Sequence, residues 1–111
     1  MVNKDLELLV SLQDLDLMIE ESEEVEKLGF SITGFSELKN AREELAERIS
    51  KPLLYRYERL RGKLKRAIVP VKNDICLGCF LRQPTSISSQ GREGSELFTC
   101  ENCGRMLYWL D

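Results

Sequence analysis

Two pairs of cysteines with the spacing C-x2-C constrain this chain more than any other feature of its sequence. Cys76 is paired with Cys79 and Cys100 with Cys103, and twenty residues separate the two pairs. A C-x2-C turn brings two thiolates to one side of a backbone bend, and two such turns facing each other supply the four sulfur ligands of a tetrahedral zinc ion. The sequence therefore predicts one structural Zn2+ ion held by these four cysteines.

Three other interpretations use the same residues and stay open at the level of sequence. A redox-active C-x2-C pair is expected at the start of a helix that follows a strand, whereas both pairs here lie among turn and strand residues. Two disulfides would fit a secreted protein, and four thiolates can also hold an iron–sulfur centre. Zinc is favoured, because Gly78 and Gly104 suit the ligand turns and the first residues lack the apolar core and cleavage site expected of a signal peptide. A cytoplasmic location is expected for the same reason.

The predicted metal site does not favour catalysis. Four thiolates close the coordination sphere, so no position remains at which zinc could activate water. The chain has no His, which removes the commonest general base. The serines of residues 86–89 have no accompanying base, and a flexible loop explains them. We therefore expect a protein that is not an enzyme.

The first part of the chain has the pattern of two helices. Four apolar residues recur at steps of four, three and four, the spacing of a helix that packs against another helix: Leu8, Leu12, Leu15 and Ile19. This helix is predicted over about residues 4–28, and the glycines that follow should end it. A second helix is predicted over 36–68, with a kink near 50–52 because Pro52 interrupts it. Residues 1–68 should form an antiparallel, coiled-coil-like hairpin.

The last part of the chain changes to short β-like runs between turn residues and cysteine pairs. Residues 84–95 are rich in Ser, Gly, Thr and Gln, and we expect a loop there. Residues 69–111 are therefore predicted to form a four-cysteine zinc ribbon, and the fold class is α plus small β. A module of this size needs its metal to fold. We expect its removal to unfold the ribbon and to leave the hairpin helical.

Four segments resemble one family: LVSLQDLD at 9–16, YERLR at 57–61, AIVPVK at 67–72 and CENCGRMLYW at 100–109. They are similar to bacterial proteins that have an N-terminal coiled-coil hairpin and a C-terminal C4-type zinc ribbon, and whose hairpins are usually longer. The resemblance implies binding roles. These are adaptor or chaperone functions in flagellar and secretion systems and, in some members, contact with RNA or a transcription factor.

The first functional hypothesis is a protein-interaction adaptor. The turn between the predicted helices carries three bulky apolar residues, Phe30, Ile32 and Phe35, which is unusual at an exposed hairpin tip. The alternative is that they fold back onto the helix ends. The partner is an unidentified protein or a second copy of the chain, because a short hairpin leaves its leucine seam partly open. No run of apolar residues is long enough to span a membrane.

The second hypothesis is RNA or DNA binding, and it rests on an uneven distribution of charge. Residues 1–35 hold two Lys against nine Asp and Glu, whereas residues 36–72 hold eleven Lys and Arg against five Glu. Six basic residues lead into the ribbon: Arg56, Arg59, Arg61, Lys63, Lys65 and Arg66. The alternative is that these side chains are solvated or paired with the acidic first helix. That alternative is favoured, because the chain as a whole is acidic.

Overall fold

The computed structural model describes residues 4–31, 33–93 and 97–110. The elements, in chain order, are α1 Lys4–Lys27, α2 Phe35–Glu47, α3 Lys51–Lys63, β1 Ile68–Lys72, β2 Ile75–Cys76, α4 Thr85–Glu93, β3 Phe98–Thr99 and β4 Met106–Trp109. The predicted class, α plus small β with a four-cysteine region at the end, is confirmed. The division of the chain into two domains stays a prediction.

Helix α1 ends close to the predicted residue, and a glycine ends it. Gly29 has a φ of 95°, a left-handed conformation that glycine adopts without strain. The N–H of Gly29 donates to the carbonyl of Glu26 (2.9 Å), and the N–H of Phe30 donates to that of Val25 (3.3 Å). These two bonds form a Schellman motif, which satisfies carbonyls that the helix end leaves free.

The second predicted helix is wrong in its length and its direction. Instead of one kinked helix over 36–68, the chain forms α2 and α3, separated by residues 48–50. Pro52 lies in the first turn of α3, where its missing N–H breaks no helical bond. Helix α3 ends at Lys63, because Leu64 is extended and residues from Ile68 onward join the sheet.

Side-chain pairs show how the three helices run. Asp16 of α1 binds Arg42 of α2 (3.0 Å) and accepts a hydrogen bond from Tyr57 of α3 (2.7 Å). Four residues further along both helices, Arg61 of α3 pairs with Glu20 of α1. Helix α3 is therefore parallel to α1, and α2 is antiparallel to both. The chain reverses at residues 48–50, where the sequence predicted only a kink.

The strands form one four-stranded sheet in the order β2-β1-β4-β3. The central strands are parallel, with Ile68 opposite Met106 and Val71 opposite Trp109. Strand β2 pairs with β1, and β3 with β4, in the antiparallel sense. The parallel pair requires a connection that crosses over, and β2, α4 and β3 together provide it.

Helix α4, Thr85–Glu93, replaces most of the loop predicted over 84–95, and residues 94 and 95 lie outside the described residues. The carbonyl of Pro84 accepts from the N–H groups of Ile87 and Ser88, both at 3.1 Å, and so begins the helix. A Cβ atom at Gly91 would lie 2.3 Å from the Trp109 ring, so only glycine lets α4 approach β4 this closely. Packing of small residues therefore stabilises a segment whose composition is that of a loop.

The helices and the sheet share one hydrophobic cluster, and a second cluster within the sheet surrounds the cysteines. Leu9 and Leu12 of α1 and Tyr57 of α3 are fully buried, in the same cluster as Ile68 and Met106 of the sheet. Ala46 and Ile49 complete the side of this cluster next to α2. None of the helices in the described ranges is both long and apolar enough to cross a membrane.

Gln13 joins helix α1 to strand β1 by hydrogen bonds. Its side-chain oxygen accepts from the N–H groups of Ala67 (2.7 Å) and Ile68 (3.0 Å), and its amide donates to the carbonyl of Ile68 (2.9 Å). Strand β2 pairs with β1 only at Val71 and Lys72, so it does not reach Ile68. The Gln13 amide takes the place of the missing strand there.

Candidate metal centre

The four cysteines come together from two turns at one end of the sheet. Cys76 ends β2 and Cys79 lies in the turn after it, while Cys100 follows β3 and Cys103 lies in the turn before β4. All four Sγ atoms lie within 4.8 Å of one another. The structure thus places together the four residues that the sequence selected as metal ligands.

The two cysteine turns have the same backbone geometry. In the first turn, the N–H of Phe80 donates to the carbonyl of Cys76 (2.7 Å), and the N–H of Cys76 donates to that of Leu81 (3.0 Å). The second turn repeats these bonds, from Gly104 to Cys100 and from Cys100 to Arg105, each at 2.9 Å. This repeat gives the four sulfurs equivalent supports on opposite sides of the site.

The residue that follows each pair has a left-handed backbone. Gly104 has a φ of 78°, and Phe80 has a φ of 64° at the corresponding position. A non-glycine residue pays a steric cost there of about 1–2 kcal/mol. Gly78, which we expected to serve the first turn in this way, has another role. A Cβ atom there would lie 2.8 Å from the Arg105 side chain, so Gly78 leaves room for that arginine.

The spacing of the sulfurs fits one tetrahedral zinc ion. Ligand bonds of about 2.3 Å put neighbouring sulfurs about 3.8 Å apart in a regular tetrahedron. The Sγ atoms of Cys76 and Cys103 are 3.9 Å apart, and those of Cys79 and Cys100 are 3.6 Å apart. The site is that of a C4-type zinc ribbon with one structural zinc ion, as predicted.

The other interpretations of the cysteines fit this geometry less well. All four are free cysteines, and the sulfur separations are far longer than the roughly 2.05 Å of a disulfide bond. Sulfurs within 4.8 Å of one another leave too little room for a cluster of several irons and sulfides, although a single iron ion takes the same four-sulfur tetrahedron as zinc. No C-x2-C pair in the described ranges begins a helix, which a redox-active pair of the thioredoxin type requires.

The surroundings of the sulfurs make the thiols unequal. Burial raises the pKa of the Cys76 thiol to about 12. Burial acts in the same direction on Cys79, but hydrogen bonds from the Leu81 backbone and from Asn102, Cys100 and Cys76 outweigh it and lower the pKa of Cys79 to about 6. Zinc binding requires thiolates, so metal uptake displaces the remaining thiol protons and is weakened by acid.

The sequence did not reveal two residues that support the ligands. Gln83 is buried, and its amide donates to Leu81 O (3.3 Å) and to Cys100 Sγ (3.4 Å). Arg105 lies against Gly78, and its Nε donates to the carbonyl of Arg66 (3.0 Å). Arg105 lies two residues after the second cysteine pair, in one of the segments that resemble the family, whereas no sequence signal marked Gln83.

The candidate partner-binding residues at the turn after α1 differ in exposure. Phe30 is 64% exposed and its neighbour Leu28 is 76% exposed. Phe35 begins α2 and is half-buried, with the Lys39 ammonium 4.5 Å from its ring centroid. Ile32 lies outside the described residues. Leu28, which precedes the three predicted residues, therefore joins Phe30 as the exposed apolar part of this turn.

The structure divides the six basic residues proposed to contact nucleic acid. Arg61 is turned inward, pairs with Glu20 and donates to the carbonyl of Lys65, so it does not belong to a binding surface. Three of the others, Arg56, Arg59 and Lys63, line a cavity beside Gly104 of the second cysteine turn. Lys65 and Arg66 are exposed after α3 and do not line this cavity.

Comparisons with known proteins agree with this geometry. The model of the C4-type zinc ribbon domain family matches residues 75–107. The solved structure of the CT398 protein from Chlamydia trachomatis is 32% identical, with a TM-score of 0.63, over 78% of this chain and 36% of that one. The HP0958 protein from Helicobacter pylori is 30% identical, with a TM-score of 0.63, over 79% of this chain and 36% of that one.

The chain thus spans only 36% of the length of each solved relative. No curated protein matches it in sequence. The resemblance to bacterial proteins with a helical N-terminal region and a C4-type zinc ribbon is confirmed.

Proposed function

We propose that this chain, whose C-terminal part is a C4-type zinc ribbon domain, is a non-enzymatic cytoplasmic adaptor that binds another protein through the turn after α1. The zinc ion maintains the shape of the ribbon, since four thiolates leave it no open position. The adaptor roles implied by the family resemblance support the same conclusion.

The observation that carries this proposal is the exposure of Leu28 and Phe30 on either side of Gly29. A Schellman motif usually packs the side chain at the position of Phe30 against the last turn of its helix. Phe30 nevertheless stays 64% exposed and Leu28 76% exposed. Two large apolar side chains side by side at an exposed turn are typical of a protein interaction site.

The proposal is tested by affinity capture of the intact protein from its own cells, with and without a zinc chelator, followed by analysis of bound proteins and RNA. The double variant Leu28→Ser/Phe30→Ser should lose a protein partner that the natural sequence captures. Met18→Ser is the matched control, because Met18 is 46% exposed on α1 away from the turn. If the double variant captures the same proteins as the natural sequence, the turn is not the adaptor site.

A second copy of the chain remains a candidate partner. Of the four seam residues, only Leu12 is fully buried, but none is exposed: Leu8, Leu15 and Ile19 are half-buried within the chain. Self-association would therefore use the turn around Leu28 and Phe30. Analytical ultracentrifugation of the natural sequence and of the double variant tests this, because only a dimer built on the turn would dissociate in the variant.

Nucleic-acid binding is the second candidate function, and one specific observation favours it. The cations that line the cavity beside Gly104 form no ion pair with the described residues, whereas Arg42 and Arg61 are paired with acidic side chains. Gel-shift assays with RNA and DNA at low salt test this function. Its expected signature is a steep loss of affinity as salt is added.

A further inference from the structure

A cavity of about 210 Å³ lies between the outer face of α3 and the second cysteine turn. Its lining consists of Tyr55, Arg56, Arg59, Leu60, Lys63 and Gly104. Three of these six residues are cations and none is acidic. The zinc site fixes one wall of the cavity, because Gly104 directly follows the ligand Cys103.

The cations on the two faces of α3 differ in whether they have ion-pair partners. On the face toward α1, Arg61 is paired with Glu20. On the outer face, Arg56, Arg59 and Lys63 follow one another at steps of three and four, so their side chains are neighbours. None of the three has an ion-pair partner among residues 4–31, 33–93 and 97–110. Like charges at this spacing repel each other, and an anion from outside the chain would offset that repulsion.

Tyr55 adds an aromatic surface to this group of cations. Its ring is 64% exposed, and the Arg59 guanidinium lies 5.7 Å from the ring centroid, which orients both side chains. Leu60 supplies an apolar wall. An exposed aromatic ring beside several cations is the chemistry that binds single-stranded nucleic acid, because a base stacks on the ring while the phosphates contact the cations.

We propose that this cavity binds one nucleotide unit of a single-stranded nucleic acid, with the base on Tyr55 and the phosphate on Arg56, Arg59 and Lys63. A single strand is required because the bases of a duplex are stacked and cannot reach the tyrosine. The cavity is smaller than the roughly 300–1,000 Å³ of pockets that enclose a whole small ligand, which favours a strand over a free nucleotide. This assignment rests on the second candidate function and is independent of the adaptor role.

The charge part of the proposal is tested by fluorescence anisotropy. A labelled single-stranded oligonucleotide of about 12 nucleotides is mixed with the zinc-loaded full chain at several salt concentrations. One variant removes the three cations of the cavity: Arg56→Gln, Arg59→Gln and Lys63→Gln. The control variant removes three exposed cations elsewhere: Arg48→Gln, Lys51→Gln and Lys72→Gln. The cavity variant should weaken binding and reduce the slope of log affinity against log salt by about 2, whereas the control should change both much less.

The stacking part is tested at Tyr55. Tyr55→Ala should weaken binding of the strand about 5- to 150-fold, the effect expected for the loss of one stacked base, whereas Tyr55→Phe should bind about as tightly as the natural sequence. A duplex of the same sequence, adenosine monophosphate and poly-glutamate serve as competitors. Each should displace the labelled strand only at a much higher concentration than the unlabelled strand does, when concentrations are counted per nucleotide or per glutamate.

Distinct results would overturn each part of the proposal. Equal weakening by the two triple variants, or strand binding that Tyr55→Ala leaves unchanged, would exclude this cavity as the site while nucleic-acid binding itself stands. Displacement by adenosine monophosphate as efficient as by the strand would assign the site to a free nucleotide. Displacement by poly-glutamate would assign it to an acidic protein. Absence of strand binding at 50 mM salt would remove both the site and the second candidate function.

Discussion

Replacing Gln13 by Leu should destabilise the whole chain, because one side-chain amide serves three buried backbone groups. These groups are the N–H of Ala67 and the N–H and carbonyl of Ile68. Ala67 is 0% exposed and Ile68 1%, so water cannot replace the amide. A buried polar group that loses its partner costs about 1–3 kcal/mol, which gives a loss of about 3–9 kcal/mol for the three. Domains of this kind have only about 5–15 kcal/mol of stability.

Urea unfolding of the zinc-loaded protein, followed by far-UV circular dichroism, measures this loss as a change in the free energy of unfolding. Gln90→Leu makes the same chemical change on the exposed side of α4 and should stay within about 0.5 kcal/mol of the natural sequence. Amide hydrogen exchange at Ala67 and Ile68 should become faster in Gln13→Leu. If Gln13→Leu costs no more than Gln90→Leu, the amide does not connect the helices to the sheet, and the reasoning is refuted.

Three further predictions test other parts of the structure. Cys100→Ser should lower the melting midpoint of the helical signal by more than about 5 °C, because helices and ribbon share one core; an unchanged midpoint would show that the helices fold alone. Tyr57→Phe should cost about 2 kcal/mol at pH 7 by urea unfolding. Burial and the nearby Asp16 carboxylate raise the pKa of Tyr57 in the folded chain, so above about pH 10 the unfolded natural chain loses the phenol proton while the folded chain keeps it. The natural chain therefore loses stability there and the variant does not, and the gap between their free energies of unfolding should narrow. A gap that widens would contradict the raised pKa. Gly91→Ala should cost about 1–3 kcal/mol and shift the fluorescence of Trp109, the one tryptophan, whereas Ser89→Ala should do neither; equal effects of the two variants would refute the close packing of α4.

The features predicted correctly from the sequence are those that depend on local spacing. The two C-x2-C pairs specify the zinc ligands by their positions along the chain, because each pair forms its own turn. The steps from Leu8 to Ile19 specify a helix for the same reason, since the contacts that select the helix repeat every turn. Gly29 ended this helix through hydrogen bonds within five residues. None of these features requires knowledge of a distant part of the chain.

The features that the sequence did not reveal depend on contacts between distant residues. Pro52 is compatible with a kink and with the first turn of a new helix, and only the pairing of Tyr57 and Arg61 with α1 decides between them. The composition of residues 84–95 indicates a loop, yet packing of Gly91 against Trp109 stabilises a helix there. The division into hairpin and ribbon stays a prediction, and the cluster that helix and sheet residues share depends on such distant contacts as well.

The charges of α3 show how the reversal of the chain changes a functional argument. In a single long second helix beside the acidic first helix, the sequence alone would not show which cations face the acidic helix and which face solvent. In the folded chain the parallel run of α3 beside α1 turns Arg61 toward Glu20 and leaves Arg56 and Arg59 on the opposite face. The ribbon then covers part of that face with Gly104 and converts a charged stripe into a cavity. Removing the zinc would displace this wall, so binding of a single strand at the cavity should depend on the metal, although the zinc ion does not contact the strand.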